Sequence, residues 1–230
     1  MYPWRPARWK PDWELRHSLR SLASHWQERS RVVLLSETRP AWLSVEVEHV
    51  RAPRYEDCLK AALGLGAERL VWMNDDIFML QDTTSADLLP ARYVGELSGG
   101  RLSASAWTTT ENVWRHRLAA VARALAAEGR PTRNFSTHAP YLYEVDKLRI
   151  TLERFPPEHK LPVETAYFNM HALPVAPGSL VLLLSGAACP PEDLHSYPFL
   201  SVSNGHLPTL HQPLRDCVAR LFPQKCRYER

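Results

Sequence analysis

The sequence predicts a layered α/β domain with a largely parallel sheet, on three observations. Short continuous apolar runs alternate with segments of helical period. The first such run, Val32-Val33-Leu34-Leu35, has the length and composition of a strand buried on both faces. A second strand, Arg69 to Met73, leads directly into an acidic turn, Asn74-Asp75-Asp76.

The elements follow in order. Trp4, Trp9 and Trp13 alternate with Pro3, Pro6 and Pro11, which reads as an extended arm over residues 1–13 that packs on something. Residues 14–230 form the single remaining domain. Leu15, Leu19, Leu22 and Trp26 recur at helical spacing. Val45 to Val50 alternates like an edge strand. Tyr55 to Leu65 reads as a helix stopped by Gly64 and Gly66. Residues 81–110, rich in Thr, Ser and Gly, read as a loop or lid. Trp114, Leu118, Val121 and Leu125 mark a helix that ends near Gly129-Arg130-Pro131. Helices are expected over Tyr141–Phe155, Val163–Leu173 and Leu210–Phe222, with strands at Leu180–Leu184 and Phe199–Ser203.

Composition excludes several classes. The chain has 230 residues, 45% hydrophobic and 23% charged, which suits one globular domain and argues against wholesale disorder. The run from Leu180 through Ala188 is far shorter than the roughly 20 residues of a membrane helix. No basic-then-apolar leader opens the sequence, so a cytoplasmic location is expected. A net charge of +3 is too mild for a nucleic-acid footprint. The basic excess in the first 31 residues, carried by Arg5, Arg8, Lys10, Arg16, Arg20, Arg29 and Arg31, suits either a solvated face or attraction of a phosphorylated ligand. Cys58, Cys189, Cys217 and Cys226 lack zinc-site spacing and read as free thiols.

Three stretches can carry chemistry. Asp75 and Asp76 follow a strand, where open α/β sheets bind ligands. Paired carboxylates there can hold Mg²⁺ or Mn²⁺ against a diphosphate. His138-Ala139-Pro140 is placed at the opening of a helix, a natural anion site, where His138 could contact a phosphate or move a proton. Asn204, just past a strand, can bind sugar hydroxyls or ribose. No P-loop, no Gly-rich dinucleotide fingerprint and no nucleophile elbow is present.

Four stretches in order resemble the Stealth family of sugar-phosphate transferases. Glu14-Leu15-Arg16-His17-Ser18-Leu19-Arg20-Ser21-Leu22 is similar to the opening of the family's second block. Pro40-Ala41-Trp42-Leu43 and Val71-Trp72-Met73-Asn74-Asp75-Asp76 are similar to its P-x-W-L and Y-x-N-D-D. Thr137-His138-Ala139-Pro140 through Phe155-Pro156 resembles the third block. The fourth resembles Leu200–Asn204 together with Leu221-Phe222-Pro223-Gln224-Lys225-Cys226-Arg227-Tyr228-Glu229.

The resemblance implies a GT-A-like, Rossmann-like core, a nucleotide-sugar donor, and Mg²⁺ or Mn²⁺ as cofactor. It implies transfer of a sugar phosphate to a glycan hydroxyl. Asp75 and Asp76 then hold the metal, with Asp76, His138 and Asp57 as catalytic residues. Arg20, Glu56, Lys160 and Asn204 are expected at the substrate or donor. Only Met1 to Trp13 precede the second block. Either this arm, a partner chain or an oligomer supplies what the family's first block supplies, or the donor is held differently. Lys160 is the cation nearest to where the family carries a phosphate-binding Arg. The alternatives are ordinary glycosyl transfer to a modified nucleic acid or small acceptor, and a non-catalytic family member.

Overall fold

The computed structural model describes residues 1–4, 12–97, 110–184, 194–202 and 212–230, without the side chains of 110–112, 183–184 and 202. Its centre is a three-stranded parallel sheet with β2 (Val32–Ser36) between β1 (Tyr2–Pro3) and β3 (Val47–Arg51). β4 (Arg69–Trp72) lies beside β1. The Met1 amine donates to the Val71 carbonyl at 2.7 Å, and the Met73 amide donates to the Met1 carbonyl at 3.0 Å. That offset is the parallel pattern. The row therefore runs β3-β2-β1-β4 and ends at β7 (Tyr141–Glu144), which pairs antiparallel with β4. Residues Met1 to Trp4 thus act as an internal row, and the remainder of the arm, 5–11, lies outside the described residues.

The continuous apolar run of β2 is explained by two covered faces. Val32 and Leu34 pack with Leu15, Leu19 and Leu22 of α1 (Trp13–His25). Val33 and Leu35 pack with Cys58, Leu59 and Ala62 of α2 (Tyr55–Leu63). The same second core takes in Leu148 and Leu152 of α4 (Val145–Arg154) and Tyr167 and Phe168 of α5 (Val163–Met170). Leu15, Leu19 and Leu35 are at most 1% exposed. Burial of one such side chain is worth about 1.5–3 kcal/mol. α3 (Thr110–Ala127) packs Val121 and Leu125 on Ala166 of α5.

A second sheet begins just after the acidic turn. In it β10 (Phe199–Val202) lies between β5 (Ile77–Met79), antiparallel, and β9 (Val181–Leu184), parallel. Ile77 and Met79 face the α1 core, while Phe78 packs with Leu214 and Val218 of α6 (Gln212–Leu221) and with Phe222 just beyond it. β6 (Ala91–Tyr93) and β8 (Val175–Pro177) form a small parallel pair. β6 and a 3₁₀ turn at Ala86–Leu88 fall inside the expected loop, whose residues 98–109 lie outside the described set.

One expectation is corrected. Residues Tyr141–Glu144 are a strand, and the helix begins only at Val145. Tyr141 and Tyr143 are strong strand formers, and the pairing Trp72↔Tyr141 to Arg69↔Glu144 fixes them. No described helix is long and apolar enough to cross a membrane.

Candidate functional site at the carboxyl edge of the sheet

In an open α/β sheet, ligands bind beyond the carboxyl ends of the strands, where the strand order reverses. Here the order reverses between β1 and β4. The Asn74-Asp75-Asp76 turn follows β4 at that point. Its geometry is set from both sides. The Ile77 amide donates to the Asn74 carbonyl at 3.3 Å. From α1, the Ser18 hydroxyl donates to the Ile77 carbonyl at 2.5 Å, and the Met79 amide donates to Ser21 Oγ at 2.9 Å. Both serines are fully buried. The Glu-Leu-Arg segment therefore fixes the strand that carries the turn.

Asp76 is 6% exposed, and Ser201 Oγ on β10 donates to its Oδ2 at 3.4 Å. Asp75 lies close enough to Tyr2 to act on it electrostatically. Burial raises the Tyr2 phenol far above its usual range, the Ser18 hydrogen bond opposes this, and Asp75 is the smallest of the charges that add to it. Asn204, expected just beyond β10, lies outside the described residues.

The loop that carries His138 reaches the same edge, because Tyr141 pairs with Trp72 at the end of β4. His138 is exposed and holds a left-handed backbone at φ 53°. It precedes a strand, so the anion site at a helix N-terminus expected for it is absent. Its neighbours are fixed. The Thr137 amide donates to the Tyr141 hydroxyl at 3.1 Å, and that hydroxyl donates to the Phe135 carbonyl at 2.8 Å. Ser136 Oγ donates to Glu164 Oε1 at 2.5 Å. Burial raises the Glu164 carboxyl, with the Ser136 hydrogen bond and the His138 charge opposing. Sequence reasoning missed Glu164. The available signal was its place in the first turn of α5 (Val163–Met170), next to an otherwise apolar stretch.

The helix start after β3 contributes Glu56, 7% exposed, whose Oε2 has no hydrogen-bond partner among the described residues. Thr137 Oγ1, equally buried, also has none. Buried polar atoms are nearly always paired, and of the four unpaired ones among the described residues two lie on this edge. Asp57 faces away. Its carboxylate accepts from the Arg54 amide at 3.2 Å and from the Arg54 guanidinium at 3.0 Å, which holds it below the usual carboxylate range. Lys160 sits exposed in a left-handed turn before α5.

Arg20 is engaged elsewhere. Its Nε donates to Glu229 Oε1 at 2.6 Å, its Nη2 to Oε2 at 3.1 Å, and its Nη1 to the Phe222 carbonyl at 3.0 Å. Arg16 adds a contact to Glu229 at 3.2 Å and stacks its guanidinium 4.2 Å from the Trp42 ring centroid. The Glu229 side chain is fully buried. Burial by itself would raise this carboxyl, yet the Arg20 hydrogen bonds and charge hold it below its usual range. The Ser44 amide donates to the Tyr228 carbonyl, and the Arg230 amide to the Trp42 carbonyl. Three stretches far apart in sequence thus close into one clasp.

Asp75 and Asp76 are hard oxygen donors that suit Mg²⁺ or Mn²⁺ when substrate phosphates and water complete the shell. No group of three or more His, Cys, Asp or Glu able to hold a metal occurs among the described residues. Protein ligation would rest on these two carboxylates. A scan against protein-family models and a search of curated proteins returned no match.

Proposed function

We propose that this chain is a metal-dependent transferase that uses a nucleotide-activated sugar. The observation that carries the reading is the position of Asp75 and Asp76 at the carboxyl end of β4, where the strand order reverses. The unpaired Glu56 Oε2 and Thr137 Oγ1 on the same edge support it. So does the spatial convergence of the segments that resemble Stealth proteins, α1 on β5 and on the C-terminal clasp. The finer reading is a GT-A-like core that transfers a sugar phosphate to a glycan hydroxyl.

In that reaction the acceptor oxygen attacks the phosphorus that bears the sugar. The bond to the nucleoside monophosphate breaks, and the acceptor proton passes to a base. Asp75 and Asp76 would hold a divalent cation, which when bound offsets charge on the diphosphate. His138, exposed on the neighbouring loop, would meet the transferred phosphate, and Asp76 or His138 would take the proton.

A second reading is plain glycosyl transfer to a small or nucleic-acid acceptor. It is favoured by the cations: Arg20 is held by Glu229, and Lys160 stands on an exposed turn. The two readings release different nucleotides. Incubation with a panel of nucleotide sugars and Mn²⁺ or Mg²⁺, followed by chromatography, should yield nucleoside monophosphate for phosphotransfer and nucleoside diphosphate for glycosyl transfer. A matching donor should also raise the melting temperature. No product and no thermal shift with any donor would leave a non-catalytic protein instead.

A further inference from the structure

The sheet has a second opening at its other edge. A cavity of about 370 Å³ lies where β2 and β4 begin, opposite the Asp75-Asp76 turn. Its size is within the range of small-molecule sites, roughly 300–1,000 Å³. Leu22 and Trp26 of α1, Val71 of β4 and Leu142 of β7 give it an apolar wall. Arg29, Arg31 and Arg69 give it a cationic rim, against the single carboxylate of Glu28.

The charges differ in how far they are engaged. Glu28 Oε1 accepts from both the amide and the hydroxyl of Ser85, at 3.0 and 2.8 Å. Arg31 donates to Glu48 at 2.6 Å. Arg29 and Arg69 are exposed and make no salt bridge among the described residues. The Met1 amine also lines the cavity, but it donates to the Val71 carbonyl, and burial lowers it to about 5, so it is neutral at pH 7. Two guanidiniums are thus left uncompensated above an apolar wall. The basic excess of the first 31 residues divides accordingly: Arg16 and Arg20 neutralise Glu229, while Arg29 and Arg31 face this cavity.

We propose that this cavity binds a small amphipathic anion, with a phosphate or carboxylate head on Arg29 and Arg69 and an apolar body against Trp26 and Leu142. The site is independent of the transferase reading. A guanidinium offers such a head two parallel N–H donors, and its charge persists at every physiological pH. The apolar wall adds affinity that an inorganic anion cannot gain.

Titration calorimetry of the full chain tests this with four probes: hexyl phosphate, hexanoate, inorganic phosphate and 1-hexanol. One of the two amphipathic anions should bind at least tenfold more tightly than both inorganic phosphate and hexanol, and which one identifies the head group. Arg29→Ala combined with Arg69→Ala should weaken that binding at least tenfold with the melting temperature retained. Ala67→Trp, which fills the cavity and leaves the charges, should abolish it. Absence of saturable binding overturns the proposal. So does equal binding of inorganic phosphate or hexanol, or wild-type affinity in Ala67→Trp. Should the double variant unfold, the cavity-filling variant decides alone.

Discussion

Two charged clusters in this molecule are built from similar side chains and differ in completion. In the clasp, Glu229 is fully buried, and Arg20 and Arg16 supply donors to both of its oxygens. At the carboxyl edge, Asp76 accepts a long contact from Ser201, while Glu56 and Thr137 each keep a buried atom unpaired among the described residues. A closed network holds architecture together. An open one costs stability, and such cost is commonly found where a ligand completes the network. The difference separates Arg20, whose donors are used within the fold, from the residues of the carboxyl edge.

The largest expected effect breaks the closed cluster. Glu229→Ala should destabilise the fold by about 3–5 kcal/mol, because two guanidiniums lose their buried partner. Denaturant titration checks it, and a loss near zero would make the clasp a surface pair. The pH dependence follows from the sign of the shift. The Glu229 carboxyl is lowered in the folded state, so its contribution is present above its unfolded pKa and disappears as pH falls through the folded one. Glu229→Gln should therefore flatten the acid limb of a melting-temperature profile.

Next in size is the open cluster. Asp76→Asn should reduce transfer by roughly 10²–10³-fold, the scale of losing one preorganised electrostatic group. Its melting temperature should stay close to that of the wild type, since Asn keeps the size and hydrogen-bonding reach of Asp. Transfer at the wild-type rate would move the site elsewhere.

A smaller effect probes the link between the regions. Ser21→Ala leaves the Met79 amide without its partner and should cost about 1–3 kcal/mol. It should also slow transfer, because β5 carries the acidic turn; a stability loss with full activity would uncouple helix from site.

The smallest concerns Glu164. Its carboxyl is raised, so the folded state gains a proton relative to the unfolded chain between the two pKa values. Stability then falls as pH rises through that interval. Glu164→Gln should gain stability relative to the wild type as pH rises, read as diverging melting curves. Parallel curves would mean that Glu164 ionises freely.

Much of the frame was legible because burial writes itself into period and composition. The apolar run of β2 is continuous since α1 covers one face and α2 the other. Leu15, Leu19 and Leu22 share a spacing because one side of α1 is buried. Asp75 and Asp76 were readable as a turn after a strand. Tyr141–Glu144 was not readable as a strand. A four-residue segment carries too little period, and its partner β4 lies about seventy positions earlier in the chain. Glu164 was obscure for a similar reason, since a carboxylate's burial depends on neighbours from other elements.

The sequence by itself determined the alternation of helix and strand, the two-sided burial of the central strands and the place of the acidic turn, because each depends on neighbours within about a dozen residues. Only the tertiary structure decided that residues Met1 to Trp4 occupy the row between β2 and β4. It alone assigned Arg20 to Glu229, and left two arginines without an ion pair among the described residues over a cavity at the opposite edge. Those outcomes depend on which distant groups meet, and pairing energies between distant groups leave no local pattern in a chain.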